Sequence, residues 1–108
     1  RVVVRAMDNV IDRTIYPLEA QQAEAHNKRR MGLGITGLAN AGEMLGKPYA
    51  SDDFMAFMEQ VMRDLRNTTY DASADLAKEK GPFPFWEWEA YSSSKFIKGY
   101  QKTSSTRS

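Results

Sequence analysis

Cysteine is absent from the sequence of 108 residues, and histidine occurs once, as His26. The first absence excludes disulfides, thiolate metal sites and thiol nucleophiles within these residues. The second leaves His26 without the partners that a metal site or a catalytic pair needs; beside Asn27 and Lys28 it reads as a surface histidine. An excess of one charge is also lacking. Fifteen Lys and Arg against fourteen Asp and Glu leave a formal +1, which gives no case for nucleic acid or an anionic membrane as partner. No apolar run approaches the roughly 18 residues needed to span a bilayer, and no signal or transit peptide pattern is visible. Internal repeats are missing. The chain opens at Arg1 directly in a helical pattern, which reads as a cut through a longer protein. What is present is 42% hydrophobic content, sufficient for a modest core in one small domain.

Residues 2–15 read as an amphipathic helix, with Val3, Ala6, Met7, Val10 and Ile11 on one stripe and Arg5, Asp8, Asp12 and Arg13 elsewhere. Asp8, Asn9 and Asp12 could form a carboxylate site, but a solvated face with the two acids one turn apart is the better reading. Tyr16-Pro17 ends this helix, because proline lacks an N–H and restricts the residue before it. Leu18 to Lys28 reads as a polar helix with no wide apolar stripe, a surface connection.

In Arg29–Leu38, Met31, Leu33 and Ile35 alternate with Gly32, Gly34 and Thr36. That period of two predicts a short strand at about 31–36, and glycine is tolerated in a strand where something must approach its backbone. Gly37 permits a tight turn into a helix from about Leu38 to Leu45, closed by Gly46 as a left-handed cap. Ser51 is a good N-cap for a long helix (about 52–80), with Asp52 and Asp53 at its positive end. Phe54, Phe57, Met58, Val61, Met62, Leu65, Ala72, Leu76 and Ala77 form one apolar stripe along it. A helix of this length, about 43 Å, has little in 108 residues to bury that stripe against. Gly81–Trp88 is a rigid aromatic loop expected to pack back onto the long helix, an aromatic ligand cage being the alternative. Residues 92–108 are rich in Ser and Thr with Lys and Arg and no acid, and read as a polar basic loop or disordered tail.

Gly32-x-Gly34-x-x-Gly37 has the spacing of a dinucleotide fingerprint. Such a site needs a hydrophobic strand before the first glycine and an acid at the end of a second strand. Asn27-Lys28-Arg29-Arg30-Met31 cannot form that strand, and Asp52 and Asp53 open a helix instead. The glycines therefore read as backbone spacing, with no phosphate role.

Several stretches in order carry a family resemblance. Asp8-Asn9-Val10-Ile11-Asp12, Tyr16-Pro17-Leu18 and Lys28-Arg29-Arg30-Met31-Gly32-Leu33-Gly34-Ile35-Thr36-Gly37-Leu38-Ala39-Asn40 are followed by Gly46-Lys47-Pro48-Tyr49 and the run from Ala72 to Pro84. Together, over about residues 2–91, they resemble the catalytic large subunit of ribonucleotide reductase, and its adenosylcobalamin-dependent (class II) branch more than its di-iron branch. The resemblance implies an α/β fold, here a mostly helical fragment of a ten-stranded α/β barrel with one short strand. Residues 1–91 would be the partial barrel domain. Gly32, Gly34 and Thr36 are the candidates for barrel-interior positions by strand alternation.

It further implies an enzyme of deoxyribonucleotide biosynthesis that reduces ribonucleotides. A cysteine thiyl radical takes the ribose 3′ hydrogen, two further cysteines supply electrons, and Asn and Glu side chains assist. None of those cysteines is present, nor is the Pro-Thr-Gly-Thr type phosphate loop, so no catalytic residue carries over and the fragment alone is expected to be inactive. The implied partners are the rest of the reductase chain, ribonucleotide substrate, allosteric nucleotides and a thioredoxin or glutaredoxin type reductant, in the cytoplasm. A stand-alone helical interaction module, docking its long apolar stripe onto a partner, is the alternative from another functional class.

Overall fold

The computed structural model describes residues 1–95, 97 and 98. Among them the chain forms five helices: α1 (Val2–Arg13), α2 (Glu19–Lys28), α3 (Leu38–Met44), α4 (Asp52–Lys80) and α5 (Trp88–Ser92). The punctuation residues act as their chemistry requires. Ser51 Oγ accepts the Phe54 N–H at 3.2 Å and donates to the Pro48 carbonyl at 2.6 Å, capping α4. Gly37 (φ 76°) takes the left-handed conformation before α3, and Gly46 (φ 72°) takes it just after. Residues 95, 97 and 98 are again helical, and residues 96 and 99–108 of the expected tail lie outside the described residues.

The long helix is the beam on which the others rest, and it holds two small apolar centres toward its opposite ends. Near its start, the buried Phe54 ring lies against Gly42 of α3 and the Tyr49 ring, centroids 5.2 Å apart. Near its end, Ala72 and Leu76 bury against Val4 of α1, with Met7 beside them. Between these centres Phe57, Met58, Val61 and Leu65 are only half-buried, and Met55 and Met62 are exposed.

Three expectations change. The strand at about 31–36 is not formed: residues 29–35 carry no regular secondary structure, and the described residues contain no strand. A strand needs a neighbour for its N–H and C=O groups, and no described backbone group hydrogen-bonds to this segment. Second, α1 turns a different face inward. Val4 and Asp8 are buried and Met7 and Ile11 half-buried, whereas Val3 and Val10 are 50% and 62% exposed. Residues 4, 7, 8 and 11 also obey helical spacing, and choosing that face lets cations reach Asp8. Third, the aromatic loop closes largely on itself. Trp86 stacks on Tyr91 with centroids 4.5 Å apart, and Phe83 meets both rings edge-on at 5.7 and 5.9 Å. Trp86 and Tyr91 touch face to face, so no ligand slot exists between them.

The result is open. The radius of gyration is 17.3 Å, against about 13 Å for a compact domain of this length. With apolar residues on both faces of α1 and along the middle of α4, this surface suits a larger body. Expressed alone, the 108 residues will aggregate or melt without a cooperative transition; a sharp two-state melt of a soluble monomer would contradict this. Gly42 generates a second expectation. A Cβ there would sit 2.5 Å from the Phe54 ring, so Gly42→Ala will destabilise the full-length protein by about 1–3 kcal/mol in chemical denaturation. Adding Phe54→Leu will recover part of that loss.

Candidate functional site

Pro17 breaks the chain after α1 and sends α2 back across it. Tyr16 Oη donates to the Ile11 carbonyl at 3.1 Å, and the His26 ring meets Tyr16 edge-on at 5.7 Å, with its Nε2 3.3 Å from the same carbonyl. His26 is therefore half-buried and structural in its contacts, not a free surface histidine. Among the described residues no three of His, Cys, Asp and Glu converge as metal donors.

Beside this turn lies a dense polar arrangement that joins α1 to the ends of α2 and α4. Asp8, buried in the middle of α1, accepts at Oδ1 from Arg29 Nε (2.8 Å), and Arg29 Nη2 forms an ion pair with the same oxygen at 2.6 Å. Its other oxygen, Oδ2, accepts from Lys80 Nζ at 2.6 Å. Arg29 also donates through Nη1 to Asp12 Oδ1 (2.7 Å) and through Nη2 to the Asp8 carbonyl (3.0 Å). Lys80 reaches Asn9 Oδ1 at 3.2 Å. One turn earlier on α1, Arg5 forms a two-pronged ion pair with Glu79.

Burial on its own would push the Asp8 carboxyl up. The hydrogen bonds from Lys80 and Arg29, with their charges, outweigh it and hold the group below the usual carboxylate range. Asp12 is lowered chiefly by its hydrogen bond from Arg29, which outweighs its own desolvation.

Arg29 holds this position at a cost. It is the residue after α2, with φ 44° and ψ 47°, in the left-handed region where glycine usually closes a helix. For a residue with a side chain this costs about 1–2 kcal/mol. The grip on α1 offsets it, since a hydrogen bond to a buried charged group such as Asp8 contributes about 1.5–3 kcal/mol.

Asp8 was expected on a solvated face. The available signal was the pair Asp8 and Asp12, one turn apart on a helix that lacks a basic residue between them; such a pair calls for cations from elsewhere in the chain. Periodicity cannot say which cations arrive.

The glycine-rich stretch leaves directly from Arg29. Gly32, Gly34 and Thr36 are exposed, and a Cβ added at Gly32 or Gly34 would meet nothing within 4 Å. Whatever requires glycine there is not among the described residues. The phosphate-cradle geometry is also missing, because no strand precedes Gly32 and α3 has only seven residues. A shallow open groove lies on the outer face of α1, lined by Ala6, Asn9, Val10, Arg13 and Thr14.

The family model described as "Ribonucleotide reductase, barrel domain" matches residues 1–108. The chain belongs to the ribonucleotide reductase barrel-domain family. It is 36% identical over 90% of its length to a vitamin B12-dependent ribonucleoside-diphosphate reductase of Mycobacterium tuberculosis (strain CDC 1551 / Oshkosh). The same identity holds over 77% of the chain to a ribonucleoside-diphosphate reductase subunit alpha of Treponema pallidum (strain Nichols). Over 79% of the chain it holds to another vitamin B12-dependent reductase, from Thermoplasma acidophilum. The chain spans only 13%, 10% and 12% of these relatives' lengths. No solved structure gives a significant match. The stand-alone interaction module finds no support in these matches.

Within this reductase-family segment, the α1 groove is too open and too shallow to enclose a corrin. No step through a cobalamin is therefore derived from these residues. The ion cluster does generate a pH expectation. Asp8 and Asp12 have folded values below their unfolded ones, so their stabilisation is present above the ordinary carboxylate range and is lost as pH falls through the folded values. In the full-length protein, Asp8→Asn will be less stable at neutral pH by about 2 kcal/mol or more. That deficit will shrink on acidification below about pH 4. A deficit that stays constant in urea titrations across this range would remove the ionised carboxylate from the account.

Proposed function

We propose that this chain is a section of the catalytic subunit of a ribonucleoside-diphosphate reductase, acting as scaffold for thiyl-radical reduction of ribonucleotides to deoxyribonucleotides. The observation that carries the reading is a match to the barrel-domain family over residues 1–108 in a sequence without cysteine. Thiyl chemistry requires a thiol, so the reacting sulfurs must come from other residues of the enzyme, and this section serves by shape.

In this reading residues 1–91 are the barrel section, and residues 92–108 are a polar basic segment. Met31–Thr36 supplies one barrel strand once neighbouring strands are present, with Gly32, Gly34 and Thr36 turned toward the interior. The alternation of Met31, Leu33 and Ile35 with small residues supports that orientation. The open space at both glycines leaves room for a partner's close approach. The exposed valines of α1 and the half-buried middle of α4 supply apolar surface for the rest of the reductase chain.

Adenosylcobalamin is the proposed radical source, supported by the vitamin B12-dependent relatives from Mycobacterium tuberculosis and Thermoplasma acidophilum; a di-iron partner subunit is the alternative. The proposed partners are ribonucleotide substrate, allosteric nucleotides and a thioredoxin or glutaredoxin type reductant. The proposed compartment is the cytoplasm; among the described residues no helix is long and apolar enough to cross a membrane.

The parent reading frame will encode flanking cysteines and a Pro-Thr-Gly-Thr type loop. Its full-length product will reduce ribonucleoside diphosphates when supplied with adenosylcobalamin and a dithiol. Activity only with a di-iron subunit overturns the cofactor, and inactivity with either overturns the function.

A further inference from the structure

We propose that Arg29 is a positioning residue, which, through its grip on Asp8 and Asp12, sets the direction in which the glycine-rich stretch leaves α2. This rests on the reading above in one respect: that residues 31–36 become an ordered strand in the full-length protein.

The argument begins with the backbone. A helix that ends in the left-handed conformation needs only glycine at that residue, and this chain places glycine at its other positive-φ positions except Ala50. At residue 29 it uses the largest cation instead. The guanidinium then spends donors on three acceptors of one helix: Asp8 Oδ1, the Asp8 carbonyl and Asp12 Oδ1. A planar fork held at three points fixes the orientation of the residue as well as its distance from α1. A lysine could supply the charge but could not constrain that orientation.

Asp8 is itself fixed from the opposite side. Lys80, the last residue of α4, takes its second oxygen, and Gly81 then turns the chain into the aromatic loop. The Phe85 N–H of that loop returns to the Asn27 carbonyl of α2 at 3.1 Å. The C-terminal ends of α2 and α4 are thus referenced to one carboxylate on α1.

The stretch that follows has no such hold. No backbone group of residues 30–36 hydrogen-bonds to another described residue. Its course is set by its two ends, the clamped Arg29 and the left-handed Gly37 that begins α3. Of these, only Arg29 is tied by side-chain contacts to another helix. A small rotation there would swing the whole stretch.

The test uses the full-length protein with Arg29→Gly. Glycine adopts the same backbone conformation without strain and leaves the Lys80–Asp8 pair intact, so helical content is retained while the fork is lost. Amide exchange over residues 31–36 will speed up by about tenfold or more. Turnover will fall by about tenfold, with KM for the ribonucleotide changed by less than about twofold. Arg29→Lys, which keeps the charge without the planar fork, will show faster exchange than wild type in the same segment. It carries the test if the glycine variant loses helical content. Wild-type exchange at 31–36 in either folded variant overturns the proposal, as does a rise in KM with unchanged kcat. A wild-type protein without reductase activity would strike the preceding functional reading, and the exchange comparison would still decide this one.

Discussion

A carboxylate taken out of water on the inner face of a helix must be matched by charge, and Asp8 is in that position on α1. One cation alone would leave an oxygen unsatisfied, and the structure supplies two, Arg29 and Lys80, from segments about fifty residues apart in the chain. Meeting that requirement decides much of the remaining arrangement. It turns the 4, 7, 8, 11 face of α1 inward, draws the end of α2 into a strained left-handed turn, and brings the end of α4 alongside. Val4, Ala72 and Leu76 then meet as the apolar counterpart of the same junction.

The junction explains how so small an apolar core coexists with defined helix positions. Buried ion pairs add less net stability than apolar packing of the same volume, but they tolerate few alternative registers. In this chain directional contacts at the helix ends tie α1, α2 and α4 together, while Val3 and Val10 of α1 and Met55 and Met62 of α4 remain exposed.

Much of the helical content was legible in sequence because its signals are local. Ser51 caps α4, Gly81 follows its last residue, Pro17 separates α1 from α2, and Gly46 takes the left-handed conformation after α3. Gly42 was not legible, since its contact with Phe54 depends on how α3 folds back onto the start of α4. Nor was the buried state of Asp8, because a helical repeat with apolar residues on two overlapping faces does not reveal which one turns inward. The alternation at residues 31–36 describes how side chains would point in a strand, but a strand forms only against another strand, and none lies alongside it among the described residues.

The order of motifs from Asp8 to Pro84, and the match of the whole chain to one family, were properties of the sequence by itself, as was the lack of any thiol for radical chemistry. Those depend on residue identity and spacing alone. Only the tertiary structure decided that Arg29, rather than a glycine of the neighbouring motif, is the residue held most firmly in this region. Its three acceptors lie 17 and 21 residues earlier in the chain, and a contact of that range exists only once α2 has folded back on α1.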